Sequence, residues 1–159
     1  MDTVKDDLRF MREAMKEAAK AGKRGEVPVG AVLVRHGVVV SRGFNRKEGA
    51  SDPTAHAEVV ALRRASKKLS SWRLAHSTLY VTLEPCLMCM GAIIQARIPR
   101  LVFASFDPKA GACGSLYDVS RDSRLNHRVA VTSGVCADEA GSLLKGFFKT
   151  LRKGSKKAD

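Results

Sequence analysis

Near the N-terminus Leu8, Met11, Met15 and Ala18 recur at helical spacing among lysines, arginines and glutamates. That periodicity predicts an amphipathic helix over residues 3–24, ended by Gly22 and Gly25, with its methionines on the core face. Two β-branched runs follow at 27–34 and 38–44, and Arg35-His36-Gly37 between them predicts a hairpin with His36 in the turn. Residues 55–67 set Val59, Val60 and Leu62 among polar positions and close on Lys67-Lys68, as a helix C-terminus favours. Continuous apolar runs at 78–83 and 101–105 predict buried strands, with a helix over 87–96 between them. Residues 129–132 predict a short fifth strand. Ala140, Leu143, Leu144, Phe147, Phe148 and Leu151 then mark one face of a last helix, with Asp138 and Glu139 at its N-terminal end.

Strands that alternate with helices predict an α/β architecture, in which a sheet with parallel neighbours carries helices on its faces. Between 106 and 126 the Gly, Ser and Asp content predicts a long connection with a short helical turn near 115–119. A loop of that length in a compact domain usually serves function. With 159 residues the chain is one domain, placed at 1–153, followed by a basic tail at 154–159.

Composition narrows the function classes. No apolar stretch approaches a membrane span, and the first 22 residues mix charge with apolar positions where a signal peptide has an apolar core. The expected location is the cytoplasm. Lys and Arg number 28 against 16 Asp and Glu, a formal charge of +12, and an excess of that size attracts a polyanion, most commonly nucleic acid. Lys145, Lys149, Arg152, Lys153, Lys156 and Lys157 supply part of it from the C-terminal end.

The candidate chemistry lies in His56-Ala57-Glu58 and in Pro85-Cys86-Leu87-Met88-Cys89. Cys86 and Cys89 stand three apart, so with Pro85 near a first helical turn both sulfurs lie on one face and can share a metal. His56 completes three zinc ligands, and Glu58 is a carboxylate left outside the shell. A structural zinc site closes with four protein groups, whereas a catalytic one keeps a position for water, whose pKa falls to about 7 on the metal. The pattern therefore predicts a hydrolase in which Glu58 moves protons. Residues two apart on an ideal helix point roughly 200° apart, so His56 is expected at the very start of its helix, with Asp52-Pro53-Thr54 offering capping oxygens and an initiating proline. A redox pair needs a thioredoxin-like context, and a four-cysteine ribbon needs a second pair that Cys113 and Cys136 are too far apart to form.

His-x-Glu followed by Pro-Cys-x-x-Cys is the known signature of zinc nucleobase deaminases, so its chemistry is inherited from those enzymes. The match extends through Glu26–Val32, Asn45-Arg46, Asp52–Glu58, Leu79–Cys86, Asp107–Leu116 and Asn126–Val129, nearly the whole chain, and over these segments the sequence resembles the bacterial tRNA-specific adenosine deaminases. The resemblance implies a cytidine deaminase-like fold, a three-layer α/β/α domain around a five-stranded mixed sheet. It implies one zinc per subunit, a homodimer, and hydrolytic conversion of the wobble adenosine of a tRNA anticodon loop to inosine. It also implies substrate contacts from Asn45, Val29, Leu83, the backbone at Ala57, and Asp107 as acceptor for a ribose 2′-hydroxyl. Phe147 or Phe148 stacks on a splayed base while the other joins the core, with Phe147 the first choice. Cys113 is expected to be a small buried residue and no ligand. Competing readings are a deaminase of free guanine or cytosine, or of a nucleoside, and a non-enzymatic RNA-binding module that folds around zinc.

Overall fold

A computed structural model describes residues 3–158, with side-chain surroundings as far as residue 154. The chain opens with helix α1 (Thr3–Lys23) and the hairpin β1 (Gly30–Arg35) and β2 (Val38–Phe44). Its two-residue connection, His36-Gly37, has φ of 52° and 74°, the left-handed pair whose twist suits a tight hairpin. Then come α2 (Ala57–Leu69), β3 (Ser77–Leu83), α3 (Leu87–Gln95), β4 (Arg100–Ser105), β5 (Ala130–Ser133) and α4 (Ala137–Ala158).

The strands form one mixed sheet in the order β2-β1-β3-β4-β5. β1 runs antiparallel to both β2 and β3, while β3, β4 and β5 are mutually parallel. Strand alternation sorts the side chains into two layers. Ala31, Leu33, Leu79, Val81, Leu101 and Phe103 pack on α2 and α3 through Ala61, Ala65, Met90 and Ile93. On the other face Val32, Val34, Tyr80, Val102 and Ala104 meet Phe10, Met11 and Ala14 of α1 and Ala140 of α4. The expected three-layer α/β/α domain is therefore present.

One polar network pins α1 to the sheet. Arg100 donates two hydrogen bonds to the Asp7 carboxylate at 2.8 and 2.7 Å, and the Tyr80 hydroxyl donates a third at 2.8 Å. Asp7 is buried, yet these donors outweigh its desolvation and hold its carboxyl below the ordinary range.

Two local expectations are corrected. Asp52-Pro53-Thr54 does not cap α2: the Asp52 carboxylate accepts from the backbone and hydroxyl of its own neighbour Thr54, and the helix begins only at Ala57. The stretch 115–119 forms turns and an isolated bridge from Cys113 to Asp118, with no helix. α4 continues to Ala158, so helical backbone runs through much of the expected tail. The side chains of Lys156 and Lys157 lie outside the described residues.

Candidate active site

The C-terminal ends of β2, β3 and β4 bring the N-termini of α2 and α3 together. His56 is the N-cap of α2 at φ −73° and ψ 152°, and Cys86 is the N-cap of α3 at φ −75° and ψ 175°. Extended backbone at these two positions explains the motif spacing. His56 is released from the helical repeat, so it can face the same cleft as Glu58 two residues later. Neither cap side chain bonds its own helix, which leaves imidazole and thiol for one another.

His56 Nδ1 lies 3.6 Å from Cys86 Sγ and 3.5 Å from Cys89 Sγ, and the three donor atoms lie within 4.8 Å of one another. In a tetrahedral zinc shell with Zn–N about 2.0–2.1 Å and Zn–S about 2.3 Å, the N···S edge is about 3.6 Å. The residues present fit that ion in type and spacing. They also compete for protons. The Cys89 thiol is the largest influence on Cys86, whose thiol is drawn down to about 4 against its own burial, with His56 adding to the effect. Cys86 in turn pushes the Cys89 thiol up, as does burial, and raises His56. A divalent cation relieves such crowding by replacing the shared protons.

Glu58 is 4% exposed in the first turn of α2, and burial pushes its carboxyl above the usual range. Gly43 lets this turn sit close to the sheet: a Cβ there would meet the Ala57 carbonyl at 2.5 Å. Asn45 fixes the same turn from the end of β2, its Oδ1 accepting the Ala57 N–H at 2.8 Å. The capping role expected of Asp52–Thr54 thus belongs to Asn45. With its oxygen committed, Asn45 retains its NH2 donors for a ligand.

These groups line a cleft of about 470 Å³. Val29, Leu83, Asp107, Phe147 and Phe148 line it, with Leu151 from the same helical face, together with Lys47 and Glu48, which sequence reasoning did not single out. Ala57 adds no wall surface, being fully buried with its N–H taken by Asn45. The expected division of labour between the two phenylalanines is corrected: both line the cleft, edge to face at 5.5 Å, with Phe148 42% exposed. Cys113 is buried against Met90 at 3.0 Å, away from the ligand set, as expected.

Two buried glutamates that sequence reasoning missed shape the cleft's loops. Glu84, 2% exposed, accepts from the backbone of Asp107 at 2.9 Å and of Cys113 and Ser115 at 3.0 Å, and from the Ser115 hydroxyl. Burial raises its carboxyl, but these donors together lower it below the usual range. Gly111 has to be small for this, since a Cβ would lie 2.2 Å from the Glu84 carboxyl carbon. Glu26, 4% exposed, does the same for the other loop through the Glu48 and Gly49 N–H groups at 3.0 and 2.7 Å. A carboxylate beside a strand end, with Gly-rich loop elsewhere to supply donors, was the available signal. Asp107 itself folds back, one oxygen accepting from Lys109 and Ala110 at 3.0 and 3.3 Å.

A family model described as MafB19-like deaminase matches residues 5–152. The tRNA-specific adenosine deaminase of Bacillus subtilis is 47% identical over 155 residues, covering 98% of this chain and 96% of its own. That of Haemophilus influenzae is 49% identical over 151 residues, covering 94% and 87%. The chain belongs to the tRNA-specific adenosine deaminases. A solved structure from a study of A-to-I editing by tRNA:A34 deaminases at the wobble position superposes with a TM-score of 0.83 at 45% identity, over 86% of this chain and 99% of that one. The guanine deaminase of Nitrosomonas europaea shares the fold at a TM-score of 0.73 and 26% identity, over 88% and 83%.

Proposed function

We propose that the chain hydrolytically deaminates adenosine to inosine at the wobble position of a tRNA anticodon loop. The observation that carries this is the His56–Cys86–Cys89 donor set beside the buried Glu58, in a chain 47% identical to a tRNA-specific adenosine deaminase. One zinc per subunit fits the three donors; when bound, it supplies Lewis acidity and lowers the pKa of a water to about 7. Glu58 is the proton carrier. Its carboxylate accepts a proton from the attacking water and delivers it to the ring nitrogen next to C6, then takes the second proton from the new C6 hydroxyl and passes it to the exocyclic amine as the C6–N bond breaks. Adenosine and water thus give inosine and ammonia.

Asn45 orients the substrate with its free NH2, and Val29 and Leu83 confine the base. Asp107 offers its second carboxylate oxygen to a ribose hydroxyl, the group that separates RNA from DNA. Phe147, Phe148 and Leu151 provide an apolar edge where neighbouring bases stack. That exposed edge and the +12 charge favour a nucleotide within RNA over the free base taken by the guanine deaminase.

The homodimer reading is supported by the outer face of α2 and α3. Leu87 and Met88 are 52% and 38% exposed there, beside Cys86, and a groove between the helices is lined by Val59, Leu62 and Ala92. The cytoplasm is the proposed location, where tRNA is available and cysteines remain reduced. No helix among the described residues is long and apolar enough to cross a membrane.

The test is incubation of the zinc-loaded protein with total bacterial tRNA, followed by sequencing for adenosine-to-inosine changes. Inosine confined to the wobble position is the expected result. Its absence, or turnover of free guanine or adenosine alone, overturns the reading.

A further inference from the structure

The end of the sheet opposite the cleft carries another concave surface, about 430 Å³, lined by Arg73, Ala75, His76, Arg97, Pro99 and His127. Three chain segments build it: the connection into β3, the turn between α3 and β4, and the approach to β5. Every ionisable side chain in its lining is basic. Among the described residues neither Arg73 nor Arg97 has a carboxylate partner, whereas Arg42, Arg100 and Arg124 each pair with one at 2.6–2.7 Å.

The basic groups are held in place. His76 and Arg97 stand at φ of 61° and 63°, left-handed conformations that cost a non-glycine residue about 1 kcal/mol or more each. Arg97 donates to the Ile94 carbonyl at 2.9 Å, and the His127 Nε2–H donates to the Ile98 carbonyl at 2.7 Å. Trp72, 61% exposed, lines the neighbouring groove between α2 and α3, and both guanidiniums stand within cation–π reach of its ring, Arg73 at 5.1 Å and Arg97 at 5.9 Å. An aromatic platform that collects two uncompensated arginines at the rim of a cavity is an arrangement for an anion with several acceptor oxygens.

We propose that this cavity is a second, non-catalytic phosphate site, taking one phosphate group on Arg73 and Arg97 with His76 and His127 as neighbouring polar groups. Two sources carry that group, the free ion and the backbone of RNA. β3 spans about 20 Å between cavity and cleft, so RNA filling both has to extend well past the reacting base. The RNA source rests on the tRNA reading above, while the free-ion source does not.

The experiment uses the full chain and its Arg73→Gln variant, in which Arg97 keeps its bond to Ile94. Melting midpoints without phosphate verify that both are folded. Inorganic phosphate, at ionic strength matched with sodium chloride, is expected to raise the midpoint saturably, with apparent affinity at least threefold weaker in Arg73→Gln. A KM for full-length tRNA raised threefold or more, with KM for a short anticodon hairpin unmoved, assigns the site to RNA; an unmoved tRNA KM with a weakened phosphate response assigns it to the free ion. A parent protein with no saturable response and a variant with unchanged tRNA KM overturn the proposal. So does a phosphate response that Arg73→Gln fully retains. Failure of the parent to deaminate any RNA counts against the tRNA reading, and the phosphate titration still decides the site.

Discussion

Replacing Glu84 with Gln tests whether a buried carboxylate holds the cleft's longer loop. The carboxylate accepts three backbone N–H groups and one hydroxyl, two donors on each oxygen. Gln has a single acceptor oxygen. Turned toward the Cys113 and Ser115 N–H groups, it sets its NH2 against the Ser115 hydroxyl, which can accept, and against the Asp107 N–H, which cannot. One orphaned donor costs about 1–3 kcal/mol, and replacing charge-assisted bonds by neutral ones removes about 1 more, so the expected loss is about 2–4 kcal/mol. Denaturant unfolding should show a lower midpoint with unchanged slope. Because the freed segment carries Asp107 and Ala110 into the cleft wall, KM for tRNA should rise several-fold. Gly111→Ala, which forces a Cβ into the same carboxylate, should cost at least as much, and the double variant less than the sum. A Glu84→Gln protein within about 0.5 kcal/mol of the parent, a shift typical of an uncritical surface change, and with unchanged KM would refute the reasoning.

Asn45→Ala removes the acceptor for the Ala57 N–H and should cost about 1 kcal/mol as well as activity; Asn45→Asp should restore the stability, measured by unfolding, without restoring KM, because the NH2 donors are gone. Asp7 is held below its ordinary 3.8 in the folded chain, so its contribution to stability is complete above that value and lost as pH falls through the lower, folded one. Unfolding midpoints should therefore drop on acidification, and by less in Tyr80→Phe, which lacks one of the donors that lower Asp7; an equal drop in both sinks the assignment. Cys89→Ser should lose bound metal and inosine formation together, and phenanthroline treatment of the parent should remove activity that added zinc restores, with metal content followed by atomic emission.

The helices were legible from their 3.6-residue periodicity, and β3 and β4 from continuous apolar runs, which the structure explains by helices covering both faces of the sheet. The ligand set was legible because His56, Cys86 and Cys89 are read from residue type and spacing, and a helix start was the only backbone that reconciled His56 with Glu58. Capping was misread because Asp52 and Thr54 satisfy each other locally, while the true cap, Asn45, is 12 positions from its partner. Glu84 and Glu26 were missed for the same reason, since their donors lie 22 to 31 positions away and a carboxylate beside a strand end is the one local sign of them. Phe147 and Phe148 could not be separated by a helical face, because a cleft wall accepts both where a packed core would accept one.

The central claim is that Glu58 moves protons in a cleft whose His56, Cys86 and Cys89 hold the metal. It is tested most directly by single-turnover inosine formation on tRNA with Glu58→Gln, measured together with zinc content and tRNA affinity. Zinc and tRNA retained at parent levels, with the deamination rate lowered by a factor of at least about 100, the lower range for positioned acid–base catalysis, is the predicted result. Deamination at the parent rate by a zinc-loaded Glu58→Gln protein would contradict it.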